Sequence, residues 1–205
     1  MNKKYELTDE TKVIGNTTIH RIRALRDIPR HGVTSGDLGG WIEKENNLSH
    51  EGDAWVSGDA RVYGNAEVYG DARVFGDAWV CDNARVYDNA RVYGNARVYG
   101  DAEVYGNAEV YGNAWVSGDA RVCGDAIVYK DADYMTFKNT WSSGRWFTYT
   151  CSNKMWKVGC FYGNGEELIK KAYADSELSG KCYEAIVRAV ETIEVAKAEA
   201  KGEAK

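Results

Sequence analysis

The sequence holds one proline and three histidines in 205 residues, and no apolar run approaches the length of a membrane-spanning helix. With 44% hydrophobic content it reads as a globular chain. Without a span or a signal peptide, the expectation is a cytoplasmic protein with no membrane role. Short catalytic motifs are also missing: there is no nucleophile elbow, Walker loop, paired-histidine metal motif or glycine-rich dinucleotide turn. Five cysteines, an odd number without a CxxC pair, argue for reduced thiols and against a metal site. No cofactor is expected.

Positive charge is scarce where a nucleic-acid binder needs it. Residues 51–130 carry 7 basic and 13 acidic side chains, whereas residues 1–50 carry 8 and 7 and residues 131–205 carry 11 and 11. Phosphate contact requires a clustered cationic surface, so direct nucleic-acid binding is disfavoured. Carboxylates set at multiples of six residues, Asp53, Asp59, Asp71 and Asp77, can imitate phosphates, but interleaved arginines break that field.

What is abundant is a period. From Gly52 to Tyr129 thirteen six-residue units follow one another without insertion or deletion, each a variant of Gly-Asp/Asn-Ala-x-Val-Tyr. Side chains alternate along a strand, so the Ala and the Val two places later share one side, which must be the interior. The Gly-Asp and Gly-Asn pairs tolerate positive φ and mark corners. Three units make one coil. The fold class is therefore mainly β: a parallel β-helix of a little over four regular coils, about 20 Å long at about 4.8 Å per rung. Ile42 and Leu48, six apart, predict an irregular first coil starting near Trp41, with a two-residue bulge before Val56.

The flanks differ. Residues 1–40 read as an N-terminal β cap whose hairpin turns at Gly15-Asn16, and 41–134 as the hexapeptide β-helix. Residues 135–195 read as a small C-terminal α/β (ββαα) domain. Its hairpin joins Arg145–Cys151 to Met155–Tyr162, Asn164 caps a first helix, and Tyr183, Ile186, Val187, Val190 and Ile193 line a second. Residues 196–205 read as a frayed tail.

Every third unit falls on one face, so the outward position between Ala and Val sorts into columns. The first reads Trp55, Arg73, Arg91, Glu109, Ile127; the second Arg61, Trp79, Arg97, Trp115; the third Glu67, Arg85, Glu103, Arg121. The third is an alternating-sign ladder that stabilises itself. The second alternates guanidinium with indole. The position after Val adds Tyr93 and Tyr111 to the first face, and Tyr63 and Tyr99 to the second. Tyrosine ladders can be cross-strand packing alone. Rigid Trp, Tyr and Arg surfaces are also what protein interfaces favour, so the expected partner surface is Arg61, Trp79, Arg97, Trp115, Tyr63, Tyr99, Trp55, Tyr93 and Tyr111.

The period resembles the left-handed β-helix of the hexapeptide-repeat superfamily, whose best-known members are trimeric acyltransferases. Together with Gly36-Asp37-Leu38-Gly39-Gly40-Trp41-Ile42-Glu43, it more closely resembles phage and prophage hexapeptide-repeat proteins labelled polymer-forming or putative transferase. The acyltransferases use a histidine base beside a protruding loop. Here the thirteen units contain neither, and His20, His31 and His50 all precede them. His50, beside Glu51 at the bulge, is the one candidate base. The expectation is thus a non-enzymatic protein with no catalytic residue, whose partner is a host protein or protein–nucleic-acid complex such as a bacterial defence system. The alternatives are a self-assembling scaffold and an acyl-CoA-dependent acyltransferase. The resemblance implies a trimer, and the Tyr183, Ile186, Val190 helix offers a dimer.

Overall fold

Each corner of the coil turns the chain through positive φ, which costs little only at glycine. Gly58 and Gly76 have φ of 68° and 73°. Where the repeat substitutes aspartate, Asp82 and Asp88 take φ of 61° and 57°. Each then accepts a hydrogen bond from the backbone one coil onward, Asp82 from Gly100 at 3.1 Å and Asp88 from Gly106 at 3.2 Å. Local bonding of this kind is why Asp tolerates the left-handed region better than other side chains.

The computed structural model describes residues 3–203. The chain forms two units, which meet in sequence at Tyr134 and Met135. The first begins with β1 (Tyr5–Ile14), β2 (Thr17–Ala24) and β3 (Leu38–Ile42). Two-residue strands then recur every six residues, from β4 (Trp55–Val56) to β16 (Ile127–Val128). Strands three units apart pair in parallel, so one column reads β5 (Arg61–Val62), β8 (Trp79–Val80), β11 (Arg97–Val98) and β14 (Trp115–Val116). The expected parallel β-solenoid is the observed fold, with all three columns in the anticipated register. Ile42 lies beside Val62 and Leu48 bridges Val68, so the irregular first coil is also present and the solenoid has about five turns.

Every Ala and Val of the repeat from Ala54 to Val128 is 0% exposed. The interior is a solid stack, and each buried Val contributes about 1.5–3 kcal/mol of transfer free energy. No space remains inside a coil for a ligand.

The N-terminal elements close the first end and extend one face. β1 and β2 form the anticipated hairpin, β2 pairs antiparallel with β3, and β3 pairs parallel with β5, giving a seven-stranded sheet. Carbonyls at the base of the coil receive side chains instead of a further rung. Lys4 Nζ donates to Ala54 O at 2.7 Å, Tyr5 Oη to Leu48 O at 2.8 Å and Asn47 Nδ2 to Ala66 O at 2.8 Å, and all three residues are fully buried. Burial first, then the Arg26 charge, pushes the Lys4 amine down to about 8. The segment between β2 and β3 also lies along the first face: Arg26 pairs with Asp53 and Arg30 with Asp71.

At the other end the exposed edge of β14 is met by side chains. Trp115 N donates to Asp131 Oδ1 at 2.7 Å, Tyr134 Oη donates to Trp115 O at 3.0 Å, and Ser117 N donates back to Tyr134 Oη. These bonds occupy positions where a sixth rung would pair.

The second unit contains the sheet β17 (Tyr134–Lys138, whose first residue closes the first unit), β18 (Trp146–Thr150), β19 (Met155–Val158), β20 (Phe161–Gly163), ordered in sequence, and helices α1 (Gly165–Asp175) and α2 (Glu177–Glu203). Asn164 caps α1 as expected, accepting from Glu167 N at 2.9 Å. Two expectations change. Met155–Tyr162 is two strands, because Gly159 at φ 55° turns the chain, and with β17 the sheet has four strands where two were expected. The tail expected to fray from Ala196 is helical to Glu203, built from strong helix formers and joined at Lys197–Glu194 by an ion pair of 3.0 Å; residues 204 and 205 lie outside the described residues, as do 1 and 2 of the cap. Of the stripe Tyr183, Ile186 and Val190, Val190 is 1% exposed in a core with Phe147, Trp156 and Leu168, while Tyr183 and Ile186 pack against that core half-buried. No helix among the described residues is long and apolar enough to cross a membrane.

Candidate functional site

The three faces share one backbone and differ only in their outward residues. On the third face the arginines are answered within the column, Arg85 by Glu67 at 3.8 Å and Arg121 by Glu103 at 3.6 Å. Tyr69, Tyr87 and Tyr105 stack beside them with ring centroids 4.9 and 4.8 Å apart. Burial raises the phenol pKa of all three, most at Tyr105.

On the first face, two of the expected residues are committed to packing and one is removed. Tyr93 stacks between Phe75 at 4.7 Å and Tyr111 at 4.9 Å, and its hydroxyl donates to Glu109 at 2.9 Å. Burial, then the bond to Glu109, pushes the Tyr93 phenol up to about 12. Trp55 is 1% exposed and belongs to the core that includes Ile28 and Val33. It is therefore no partner surface, because the segment between β2 and β3 covers the first rung. No periodic signal marks that segment in the sequence.

The second face brings Arg61, Trp79, Arg97 and Trp115 together as one stack. The Arg61 guanidinium lies 4.8 Å from the Trp79 ring, and that of Arg97 lies 4.7 Å from Trp79 and 4.9 Å from Trp115. Tyr63 and Tyr99 meet the indoles edge-on at 6.4 and 6.5 Å. Among the described residues neither Arg61 nor Arg97 forms an ion pair, unlike Arg85, Arg91 and Arg121. Exposure grows along the column: Trp79 is half-buried, Arg97 is exposed and Trp115 is 44% exposed. Sequence reasoning missed the first member. Trp41 pairs with Arg61 and is 1% exposed beneath Lys12 and Arg21, whose charged groups lie 4.0 and 5.1 Å from its ring. The twenty-residue interval from Ile42 to Val62, one coil plus the bulge, is the signal that places it.

His50 lies in an open cleft of about 550 Å³ at the first coil, lined also by Glu45, Asn46, Leu48, Ser49, Glu67, Val68 and Tyr69. Its ring stacks on Tyr5 at 4.3 Å, and Nδ1 accepts from Lys4 N at 3.2 Å. That bond places the neutral ring's proton on Nε2, which is shielded from solvent. Burial lowers the His50 pKa against the opposing pull of Glu45. The lone pair a general base needs is thus engaged by the backbone. His20 accepts no such role either, with Nδ1 set 3.3 Å from Thr8 O in the hairpin.

Residues 66–82, 84–100, 90–103 and 102–118 match a family model described as the YdcK beta solenoid repeat. No curated protein matches the chain. The matched segments lie wholly within the regular coils, so the similarity concerns the repeat and its fold, and the chain is a β-solenoid repeat protein.

Proposed function

We propose that this chain is a non-enzymatic binding protein that uses the second face of its solenoid to hold a macromolecular partner. The observation that carries the reading is the uncovered stack of Trp79, Arg97 and Trp115, beside a third face whose charges satisfy one another. Interfaces draw much of their energy from a few rigid Trp, Tyr and Arg residues. Stacking holds these side chains before a partner arrives, which reduces the ordering cost of association. The filled interior and the backbone bond to His50 Nδ1 support a binding role over acyl transfer.

The resemblance to phage and prophage hexapeptide-repeat proteins directs the proposal to a host partner in the bacterial cytoplasm. Such a partner is a protein or protein–nucleic-acid complex, for example a defence system that the bound solenoid blocks. The test is an affinity capture with the full chain and its Trp115→Ala, Arg97→Glu double variant. The expected result is a stoichiometric partner at moderate salt that the variant loses while its melting transition stays in place. Retention of the same partner by a folded double variant removes the second face from the interaction.

A further inference from the structure

We propose that the partner of the second face is a protein that sets one acidic side chain, Asp or Glu, against the rim of Arg97. The inference rests on that face being the binding surface and names the chemistry it recognises. A guanidinium is a plate with five N–H donors around its edge. The guanidinium carbon of Arg97 lies over the Trp79 ring of the rung below and the Trp115 ring of the rung above, at 4.7 and 4.9 Å. An indole has no conventional acceptor to offer, so the N–H donors of Arg97 are left to bond. Arg97 is exposed and, among the described residues, has no carboxylate at ion-pairing distance. A carboxylate meets such a rim with two parallel hydrogen bonds.

Two comparisons within the molecule sharpen the assignment. Arg85 and Arg121 occupy equivalent outward positions on the third face, and each already has a glutamate from the neighbouring rung. Arg61 shares the Arg97 column but is half-buried, and its Nε is shielded without a bond. Arg97 is therefore the cation of this column best placed for an external anion. The surroundings select the kind of anion. Residues 51–130 carry 13 acidic and 7 basic side chains, so a nucleic-acid strand would bring many phosphates into a repulsive field to gain one contact. A single side-chain carboxylate meets only the local cation. Its neighbouring aliphatic or aromatic groups can then lie on Trp115, which is 44% exposed.

The probes are a short capped peptide with one glutamate between two leucines, the same peptide with glutamine, and an oligothymidylate of matched length. Binding to the full chain is followed by NMR of the arginine Nε–H groups. The glutamate peptide is expected to shift the Arg97 resonance and leave that of Arg85 in place. The glutamine peptide should bind about tenfold more weakly, and Arg97→Lys should cost the glutamate peptide about tenfold, since lysine offers no planar fork. Equal binding of the two peptides, or tighter binding of the oligothymidylate, overturns the carboxylate assignment. The captured partner separates this failure from that of the face. If Trp115→Ala releases the partner and Arg97→Gln does not, the face stands and the carboxylate falls; if neither folded variant releases it, both readings fall.

Discussion

The second and third faces have the same strand length, the same rung spacing and the same Ala/Val backing, yet they handle arginine in opposite ways. The third gives Arg85 and Arg121 glutamates from adjacent rungs. The second gives Arg97 two indoles and no carboxylate. Folding constrains the inward residues of a hexapeptide and leaves the outward one open, so the outward residue is where one face can close on itself and another can stay available. An ion ladder neutralises its own field, whereas a cation–π stack holds the charge in place without cancelling it.

The largest effect is expected in alkali, where burial raises the Tyr63 phenol of the second face as well as the phenols of the third, Tyr69, Tyr87 and Tyr105, above the ordinary value of 10.0. Between that value and the raised one, the unfolded chain has released protons that the folded chain still holds. Stability therefore falls as pH rises above 10. Chemical denaturation at successive pH values should show the midpoint dropping there. Tyr87→Phe with Tyr105→Phe should flatten the drop, and an unchanged slope would place its origin elsewhere. The next effect is on binding: Trp115→Ala with Arg97→Glu should weaken the captured partner by about 100-fold, close to 2.7 kcal/mol, while Arg85→Glu on the third face leaves affinity intact. Below this, Val98→Ala and Val104→Ala lie behind different faces but in the same kind of fully buried site. Each should cost about 2 kcal/mol in urea denaturation, and unequal costs would mean the faces are not equivalent inside. Smallest is Arg85→Glu itself, which places three like charges in a row and should destabilise by about 1 kcal/mol or less, an effect that fades in high salt.

The solenoid was readable from sequence because one physical rule repeats in each unit. Ala54 and Val56 face inward for the same reason as Ala126 and Val128, and a period without gaps aligns Arg61, Trp79, Arg97 and Trp115 before any coordinates exist. The rule stops wherever a residue is placed by something distant in sequence. Trp55 obeys the period and is still buried, because Ile28 and Val33 belong to the core that encloses it. Lys4 and Asn47 look like surface residues, but each donates to carbonyls at a coil base that has no preceding rung. In the second unit, Gly159 splits a strand by a single positive φ, and the helix-forming Ala, Lys and Glu residues past Val195 carry α2 on to Glu203 without any periodic apolar stripe to announce it.

The bonds from Asp131 and Tyr134 to the edge at Trp115 make length and facing independent variables. The terminator recognises a strand edge, which every coil provides. Eighteen inserted residues lengthen the rod by one storey and leave each downstream side chain on its original wall. Six inserted residues turn every later side chain to the next wall, so Trp115 leaves the column of Arg97 although no residue has been substituted. Evolution or design can thus rewrite which chemistry shares a wall by insertion alone, in steps of one third of a revolution.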